Sequence, residues 1–382
     1  ALTFAFIRRV DPQDQRRALI AAGLILYLPV HIYMSAMLSE EILASALISI
    51  VVVGVAWRFP ESRAPRQAMG RMAAIGMVAG LALLTKLTGA LVLIASAGAY
   101  LIDGWRRGTL RSALTFAATL TLMTAILGGW YYARNLIGWG YLYPYGLDAH
   151  KIMFTMPPGE RFIADFFRLP LAIWLDPRVV APDLLHSVWG STYITLWFDG
   201  HRQFLPIMHH TVVLAGRVIL TLSLLPTLAF FVGVGRGIRR FLASSRGPDT
   251  VFLLLIALTL VGYCAFAWRN PWFPVMKASF MLGLSVPFAY YTSEVLSDWT
   301  RRGRWISLFT WTVLASLVVS IALTFTVSRV FWNTDHMRRP GIRWQKVPPR
   351  MGFTDEAQLE DFPRTPSYRL EIGPGRSPRD EA

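Results

Sequence analysis

Apolar runs of about 20 residues recur along the chain, and short polar segments separate them. A helix of that length crosses roughly 30 Å of hydrocarbon with its backbone hydrogen bonds satisfied internally. The pattern therefore predicts an all-α polytopic membrane protein with about nine complete transmembrane helices and one large outer loop. The predicted spans cover residues 18–38, 42–57, 72–84, 90–102, 112–132, 211–232, 250–267, 278–296 and 305–327.

Composition and charge support this class and exclude others. Hydrophobic residues make up 54% of the 382 residues and the mean hydropathy is +0.43, which is not the composition of a soluble globular protein. The net charge is +15, but the five predicted inner segments hold eighteen Arg and no Lys, as the positive-inside rule describes. A nucleic-acid-binding protein would instead concentrate basic and aromatic residues on one soluble face. We therefore expect a lipid bilayer as partner and no nucleic acid.

The spans and loops divide the chain into five predicted parts. Residues 1–10 form the end of a transmembrane helix whose beginning lies upstream, because the pair Arg8-Arg9 follows the apolar run and does not precede it. The long stretch 133–210 forms the outer loop, and 162–174 within it is predicted to be an amphipathic helix in the membrane interface. The division is 1–10, 11–132 (N-terminal transmembrane block), 133–210 (periplasmic loop), 211–328 (C-terminal transmembrane block) and 329–382 (periplasmic tail).

Two adjacent carboxylates, Glu40 and Glu41, stand at the tight turn between the first two complete spans. A charged side chain costs roughly 2.5–3.5 kcal/mol at the bilayer centre, so this acidic tip is predicted at the outer surface. The acids either orient a substrate hydroxyl or a metal, or only keep the turn hydrated. Tyr33 and His31 lie below the tip and can line the same recess, although a packed, hydrogen-bonded histidine is the commoner case.

A lysine, Lys86, interrupts the 32-residue apolar stretch 72–103. Basic segments flank both ends of this stretch, so the chain must cross the membrane an even number of times. We predict two short helices, 72–84 and 90–102, with Lys86 at the outer turn. Thirteen residues give only about 20 Å of helix, which places Lys86 in a recess below the outer surface. Lys86 either binds the phosphate of a lipid-linked substrate or reaches to the headgroups.

Further candidates stand where spans emerge on the outer side. Arg134, Asn135 and Tyr143 follow the span 112–132. An arginine there can bind phosphate through two parallel hydrogen bonds, and a tyrosine can stack on a sugar. Lys277 is a second cation at the outer start of a helix. Arg134 and Tyr143 can also serve only as interfacial anchors.

Signals for metal or nucleotide chemistry are weak. The adjacent pair His209-His210 lacks a third ligand at a fixed spacing, and the single Cys264 excludes both a Cys-based metal site and an intramolecular disulfide. The chain has no phosphate-cradling glycine loop and no GxSxG motif, so a nucleotide-dependent reaction at the inner face is not expected. No cofactor is predicted apart from a lipid-linked substrate, and a requirement for a divalent metal is left open.

In this order and with this sidedness, the motifs resemble those of the GT-C glycosyltransferases. The resemblance is to bacterial relatives of dolichyl-phosphate-mannose protein mannosyltransferase, of the aminoarabinose-transferase-like type. The stretches that carry it are Arg16-Arg17-Ala18-Leu19 through Ser39-Glu40 to Leu43, Gly80-Leu81-Ala82-Leu83-Leu84-Thr85-Lys86, Trp130-Tyr131 with Arg134-Asn135, Gly140, Tyr143 and Pro144, and more loosely Lys277-Ala278-Ser279-Phe280 with Pro287.

The resemblance implies a GT-C-like bundle in the bacterial inner membrane, with its active site facing the periplasm or cell exterior. Such an enzyme transfers a sugar from a polyprenyl-phosphate-linked donor to a glycan, lipid or protein acceptor, with inversion at the anomeric carbon. Basic residues hold the departing phosphate, and an acid assists the acceptor hydroxyl.

Carried onto this chain, the resemblance assigns phosphate handling to Lys86, Arg134 and Lys277. Glu40 matches the family's secondary acid with Glu41 beside it, and the principal base is expected upstream of the first residue. The other implied substrate-binding residues are Tyr33, Asn135 and Tyr143. Two alternatives stay open: a lipid-linked-sugar transporter or flippase, and a non-catalytic membrane subunit.

Overall fold

The computed structural model divides into two compact units, Ala1–Leu323 and Thr324–Ala382. Helical elements dominate the first unit, in keeping with a mostly helical protein. The second contains an antiparallel pair of strands in which Ile342 lies opposite Ile372. The residues that the structure describes are 1–37, 39–57, 65–143, 158–175, 177, 182–199, 210–243, 247–327, 342–347 and 367–372.

The helices and strands are numbered here in chain order. They are α1 Leu2–Val10, α2 Gln15–Leu26, α3 Pro29–Ala36, α4 Glu40–Ala56, α5 Pro65–Thr85, α6 Gly89–Arg106, α7 Leu110–Trp139, α8 Pro182–Leu185, α9 Val188–Trp197, α10 His210–Leu222, α11 Leu224–Ala243, α12 Asp249–Arg269, α13 Ser285–Arg301, α14 Arg304–Ala322, β1 Ile342–Val347 and β2 Ser367–Ile372. Short 3₁₀ turns lie at Ile163–Phe166, Leu171–Trp174, Phe273–Val275 and Ala278–Leu284.

Several helices are long and apolar enough to cross a membrane, which indicates a multi-pass membrane protein. Among the described residues there are five such stretches, and the number nine stays a prediction. They are Gln67–Thr85, Leu110–Trp139, Val213–Ala243, Asp249–Arg269 and Arg304–Phe325.

A sixth span follows if α2 and α3, which meet at 52°, cross the membrane together. The span predicted as one helix over 18–38 is therefore broken. Pro29 explains the break, because proline has no N–H to donate and disfavours helical geometry in the residue before it. Proline is favoured at the first position of a helix, which is where Pro29 stands in α3.

The helical hairpin around Lys86 has the predicted turn but not the predicted lengths. The turn is Lys86-Leu87-Thr88, between α5 and α6. These helices have 21 and 18 residues, which correspond to about 31 and 27 Å. The expectation of two short helices is wrong because α5 already begins at Pro65 and α6 continues through polar residues to Arg106. The helix-length argument for a recess around Lys86 is therefore lost.

Close packing of α5 against α7 holds the first helix of this hairpin in place. A Cβ atom added at Gly80 would lie 2.8 Å from the Cβ of Leu127, and one added at Gly128 would lie 2.6 Å from the Gly80 carbonyl oxygen. Small residues let two membrane helices approach this closely. Closer to Lys86, the two helices are also joined by a hydrogen bond: the Tyr132 hydroxyl on α7 donates to the Leu83 carbonyl on α5 at 2.7 Å, three residues before Lys86.

Helix α7 is longer than the predicted span 112–132 and carries a π-helical turn at Ala125–Gly129. It ends at Gly140, whose φ of 74° is the left-handed conformation that terminates many helices. The predicted outer loop therefore does not begin at residue 133. Arg134 lies within the last turns of α7, and Tyr143 follows shortly after its end.

Charged side chains of four elements form an ion-pair network around the C-terminal half of α13. Arg240 on α11 donates to both carboxylate oxygens of Asp249, at 2.9 and 3.0 Å, and to Glu294 at 2.7 Å. The Nη2 atom of Arg17 on α2 lies 3.4 Å from the Oε2 atom of Glu294. We call the set the arginine network; its members are Asp14, Arg17, Arg236, Arg240, Asp249, Glu294, Asp298 and Arg301.

Asp14 caps α2 and joins it to the far end of α13. Its carboxylate accepts hydrogen bonds from the Arg17 backbone N–H at 3.0 Å and from the Ser297 hydroxyl at 2.6 Å, and it pairs with Arg301. Burial raises the pKa of Asp14, but these hydrogen bonds and the Arg301 charge outweigh it, so the pKa lies below its usual value.

Candidate functional site

Four charged residues from three separate parts of the chain lie together, and the two lysines among them contact one aromatic ring. Lys86 forms an ion pair with Glu41, and its Nζ lies 3.7 Å from a carboxylate oxygen of Glu40. The same Nζ lies 5.0 Å from the centre of the Phe280 ring, and the Nζ of Lys277 lies 4.7 Å from that centre. We call these five residues the lysine cluster. The structure thus brings together two cations and two acids that the sequence singled out separately.

The N-terminus of α4 positions the two acids. Ser39 is the N-cap residue, and its hydroxyl accepts a hydrogen bond from the Glu41 backbone N–H at 3.1 Å. Glu40 and Glu41 occupy the first turn, where the helix dipole favours negative charge. The acidic tip is therefore a helix start and not only a hydrated loop.

The end of α5 positions Lys86. The Lys86 backbone N–H donates to the Ala82 carbonyl at 2.9 Å, and its carbonyl accepts from Gly89 N–H at 2.8 Å. A Cβ atom at Gly89 would lie 2.5 Å from the backbone of Ala82, so the first residue of α6 must be glycine to pack this closely. A cation directly after a helix C-terminus is favourable for the helix dipole.

The 3₁₀ turn Ala278–Leu284 positions Phe280 and follows Lys277 directly. It is tied to two helices: the Ala278 N–H donates to the Thr195 hydroxyl at 2.9 Å, and the Ser45 hydroxyl on α4 donates to the Leu282 carbonyl at 2.7 Å. The turn is therefore fixed to the same helix that carries the two acids.

The two acids differ in their access to solvent. The side chain of Glu41 is 8% exposed and that of Lys86 is 16% exposed, whereas that of Glu40 is 60% exposed. Glu41 therefore compensates the Lys86 charge inside the protein. Glu40 keeps a carboxylate open to the surroundings, where it can accept a proton or a hydrogen bond.

Tyr33 and His31 lie on α3, which packs against α4, α9 and the 3₁₀ turn of the cluster. His31 Nε2 lies 2.6 Å from the Ser285 hydroxyl, the packed arrangement expected for it. Tyr33 interacts electrostatically with Asp199, a residue that is buried just after the end of α9. The sequence places Asp199 among the polar residues of the predicted outer loop without a specific role; its position directly after the apolar pair Trp197-Phe198 is the signal that could have identified it.

Arg134, Asn135 and Tyr143 lie elsewhere. Asn135 is buried and donates to the Leu142 carbonyl at 3.3 Å, which closes the end of α7. Arg134 and Tyr143 are exposed, and in the described part of the chain no hydrogen bond or ion pair joins them to the lysine cluster. Their roles in substrate binding stay predictions.

A metal site is not apparent in the ranges that the structure describes. Those residues contain no group of three or more His, Cys, Asp or Glu side chains that could hold a metal ion. His209 and the side chain of His210 lie outside the described residues. The question of a divalent metal stays open.

Comparisons with known proteins add no family to these observations. No protein-family model, no curated protein and no solved structure matches the chain. The resemblance to the GT-C glycosyltransferases therefore rests on the sequence motifs alone.

Proposed function

We propose that the protein is a membrane glycosyltransferase that uses a polyprenyl-phosphate-linked sugar as donor. The observation that carries the proposal is the lysine cluster, in which Lys86 and Lys277 flank one ring beside Glu40 and Glu41. Two cations that share one aromatic ring suit a phosphate group, and a solvent-accessible carboxylate beside one of them suits an acceptor hydroxyl.

The transfer needs these two kinds of group at one place. The acceptor oxygen attacks the anomeric carbon and forms the new glycosidic bond, while the bond from that carbon to the phosphate oxygen breaks. Negative charge grows on the departing polyprenyl phosphate, which Lys86 and Lys277 stabilise. The hydroxyl proton passes to a base, and Glu40, the cluster's acid with access to solvent, assists by accepting a hydrogen bond from that hydroxyl.

Glu41 has a different role in this proposal. Because its side chain is almost fully buried against Lys86, it holds the ammonium group in place and does not meet the acceptor. The cluster carries two positive and two negative groups, so an arriving phosphate competes with Glu40 for Lys86. Donor binding and acceptor activation are therefore coupled through Glu40.

Reconstituted vesicles distinguish this function from the two alternatives. The complete protein is placed in proteoliposomes with radiolabelled polyprenyl-phosphate hexose or pentose and with cell-envelope glycolipids as acceptors. We expect label to become covalently attached to an acceptor, with release of polyprenyl phosphate. Movement of intact donor between leaflets without transfer would indicate a transporter, and neither activity would indicate a non-catalytic subunit.

A further inference from the structure

A row of apolar side chains projects from the segment between α7 and α8. The residues are Phe162, Ile163, Phe167, Leu169, Leu171 and Leu175, and we call them the apolar ledge. Each of these side chains is exposed, with fractions from 54% to 79%. Six large apolar side chains in one short segment form the kind of patch that marks an interaction surface.

The backbone behind the ledge is held in place. The buried Asp165 carboxylate accepts from the Phe162 N–H at 3.1 Å. The buried Ser187 hydroxyl donates to the Arg168 carbonyl at 2.6 Å. Ile173, between the exposed leucines, is 5% exposed. The ledge side chains are therefore directed outward by a fixed scaffold.

Both ends of the ledge are attached to ends of candidate membrane spans. The ring of Phe166 packs at 6.2 Å from that of Trp268, next to the last residue of the span Asp249–Arg269. At the other end, Arg217 Nη2 donates to the Leu175 carbonyl at 2.7 Å. Arg217 is four residues inside the span Val213–Ala243, about 6 Å along the helix.

We infer that the apolar ledge is inserted into the bilayer and contacts lipid acyl chains. The attachment of Leu175 to Arg217 sets the ledge at the depth of the first turn of a membrane helix, where the surroundings are lipid. The two spans to which the ledge is attached also expose large apolar side chains near the same ends, Leu214 and Trp268, which favours the bilayer over a protein partner. The expected helix over 162–174 is replaced by two 3₁₀ turns, but the interfacial position is retained in this inference.

The ledge belongs to the same end of the bundle as the lysine cluster, because Phe166 in the ledge segment and Phe280 in the cluster pack against one group of buried residues that includes Ala267 and Met276. The spans that hold it begin at Val213 or end at Arg269, and their opposite ends carry Arg240 and Asp249 of the arginine network. The inference needs no glycosyltransferase activity. If both proposals hold, the lysine cluster lies at the height of lipid headgroups, where the phosphate of a lipid-linked donor is found.

Spin labels measure this insertion directly. Phe167→Cys and Leu171→Cys are each prepared in a Cys264→Ala background, labelled with a nitroxide and reconstituted in phosphatidylcholine–phosphatidylglycerol vesicles. The matched control is Glu160→Cys, an exposed polar position just before the ledge. Both target side chains are 79% exposed, so labelling leaves the packed side of the segment intact.

For each label we measure the ratio of its collision rate with apolar oxygen to its collision rate with a water-soluble nickel chelate. We expect this ratio to be at least threefold higher for both ledge labels than for the Glu160→Cys label. Equal or greater access to the nickel chelate would overturn the inference, because the ledge would then lie in water. Low access to both reagents would overturn it as well, since protein and not lipid would then cover the ledge.

Discussion

The lysine cluster and the arginine network both contain residues of opposite charge, and both include residues in or next to α13. The cluster lies just before the first residue of α13, and the network lies along its C-terminal half. In the network, Arg240 uses three of its donors on Asp249 and Glu294, and the Tyr291 hydroxyl also donates to Asp249 at 3.0 Å. In the cluster, Lys86 has one buried partner, Glu41, and one exposed partner, Glu40.

This difference separates charges that hold helices together from charges that can receive a ligand. When an arginine and a carboxylate bind each other through two hydrogen bonds, neither group is readily available to a ligand. Removing one partner leaves the other charge buried and unpaired in a medium of low dielectric. An ammonium group over a ring, beside an exposed carboxylate, can exchange one partner for a phosphate. We therefore assign stability to the network and function to the cluster.

The largest effect is expected from Arg240→Met in the network. This change leaves the Asp249 carboxylate, 6% exposed, without its two-point partner, and should lower the free energy of unfolding by about 3 kcal/mol. Thermal unfolding in detergent measures it. Arg239→Met, an exposed neighbour on the same helix, is the control and should change little. Equal stability of the two variants would show that the network is not a structural clamp.

Asp14→Asn should cost about 1.5–3 kcal/mol near neutral pH, because hydrogen bonds to a charged carboxylate are lost. The folded-state pKa of Asp14 lies below 3.8, so its contribution is present above that pH and is lost as pH falls through the folded value. Melting curves of both proteins should therefore differ at pH 6 and converge below pH 3.8. A difference that grows on acidification would contradict this sign.

In the cluster, Glu41→Gln and Glu40→Gln should separate the two acids. Glu41→Gln removes the buried partner of Lys86 and should lower stability by about 1–2 kcal/mol. Glu40→Gln should lower it by less than about 0.5 kcal/mol, since exposed pairs contribute little. In transfer assays, Glu40→Gln should reduce kcat and also the KM for donor, because the phosphate no longer competes with that carboxylate. A raised KM would argue against the competition.

The smallest effect is expected from Phe280→Leu, which removes the ring that Lys86 and Lys277 share. A cation–π contact contributes about 0.5–1 kcal/mol, so donor KM should rise roughly two- to fivefold. Phe280→Tyr keeps the ring and should retain the wild-type KM. If the leucine and tyrosine variants had the same donor KM, the aromatic character of the ring would have no part in donor binding.

The sequence indicates where the lysine cluster lies more clearly than how its residues are arranged. A single lysine in a long apolar stretch predicts a turn, and the turn is where Lys86 stands. The predicted lengths of α5 and α6 are wrong because hydrophobicity identifies only the apolar part of a helix. The backbone hydrogen bonds of a helix continue through polar residues such as Gln67 in α5 and Arg106 in α6. The sequence alone does not distinguish the roles of Glu40 and Glu41, because the burial of each side chain depends on what packs against it in the fold.

The arginine network could not be foreseen in the same way. Arg17, Arg236, Arg240 and Arg301 were interpreted only as positive charges that orient the chain in the membrane. Their partners Asp14, Asp249 and Glu294 are distant in sequence, and only the packing of α2, α11, α12 and α13 brings them together. Periodicity gives the helices, but the charge partners depend on their arrangement.

The central claim is that Lys86 acts on the donor phosphate and does not merely balance Glu41. Lys86→Ala alone would strand Glu41, so the direct test compares the double variant Lys86→Ala, Glu41→Gln with Glu41→Gln in a transfer assay on the complete protein. We predict at least a tenfold lower rate for the double variant, about 1.4 kcal/mol of transition-state stabilisation, with equal membrane abundance. Equal transfer rates for the two variants would contradict the claim and remove Lys86 from the mechanism.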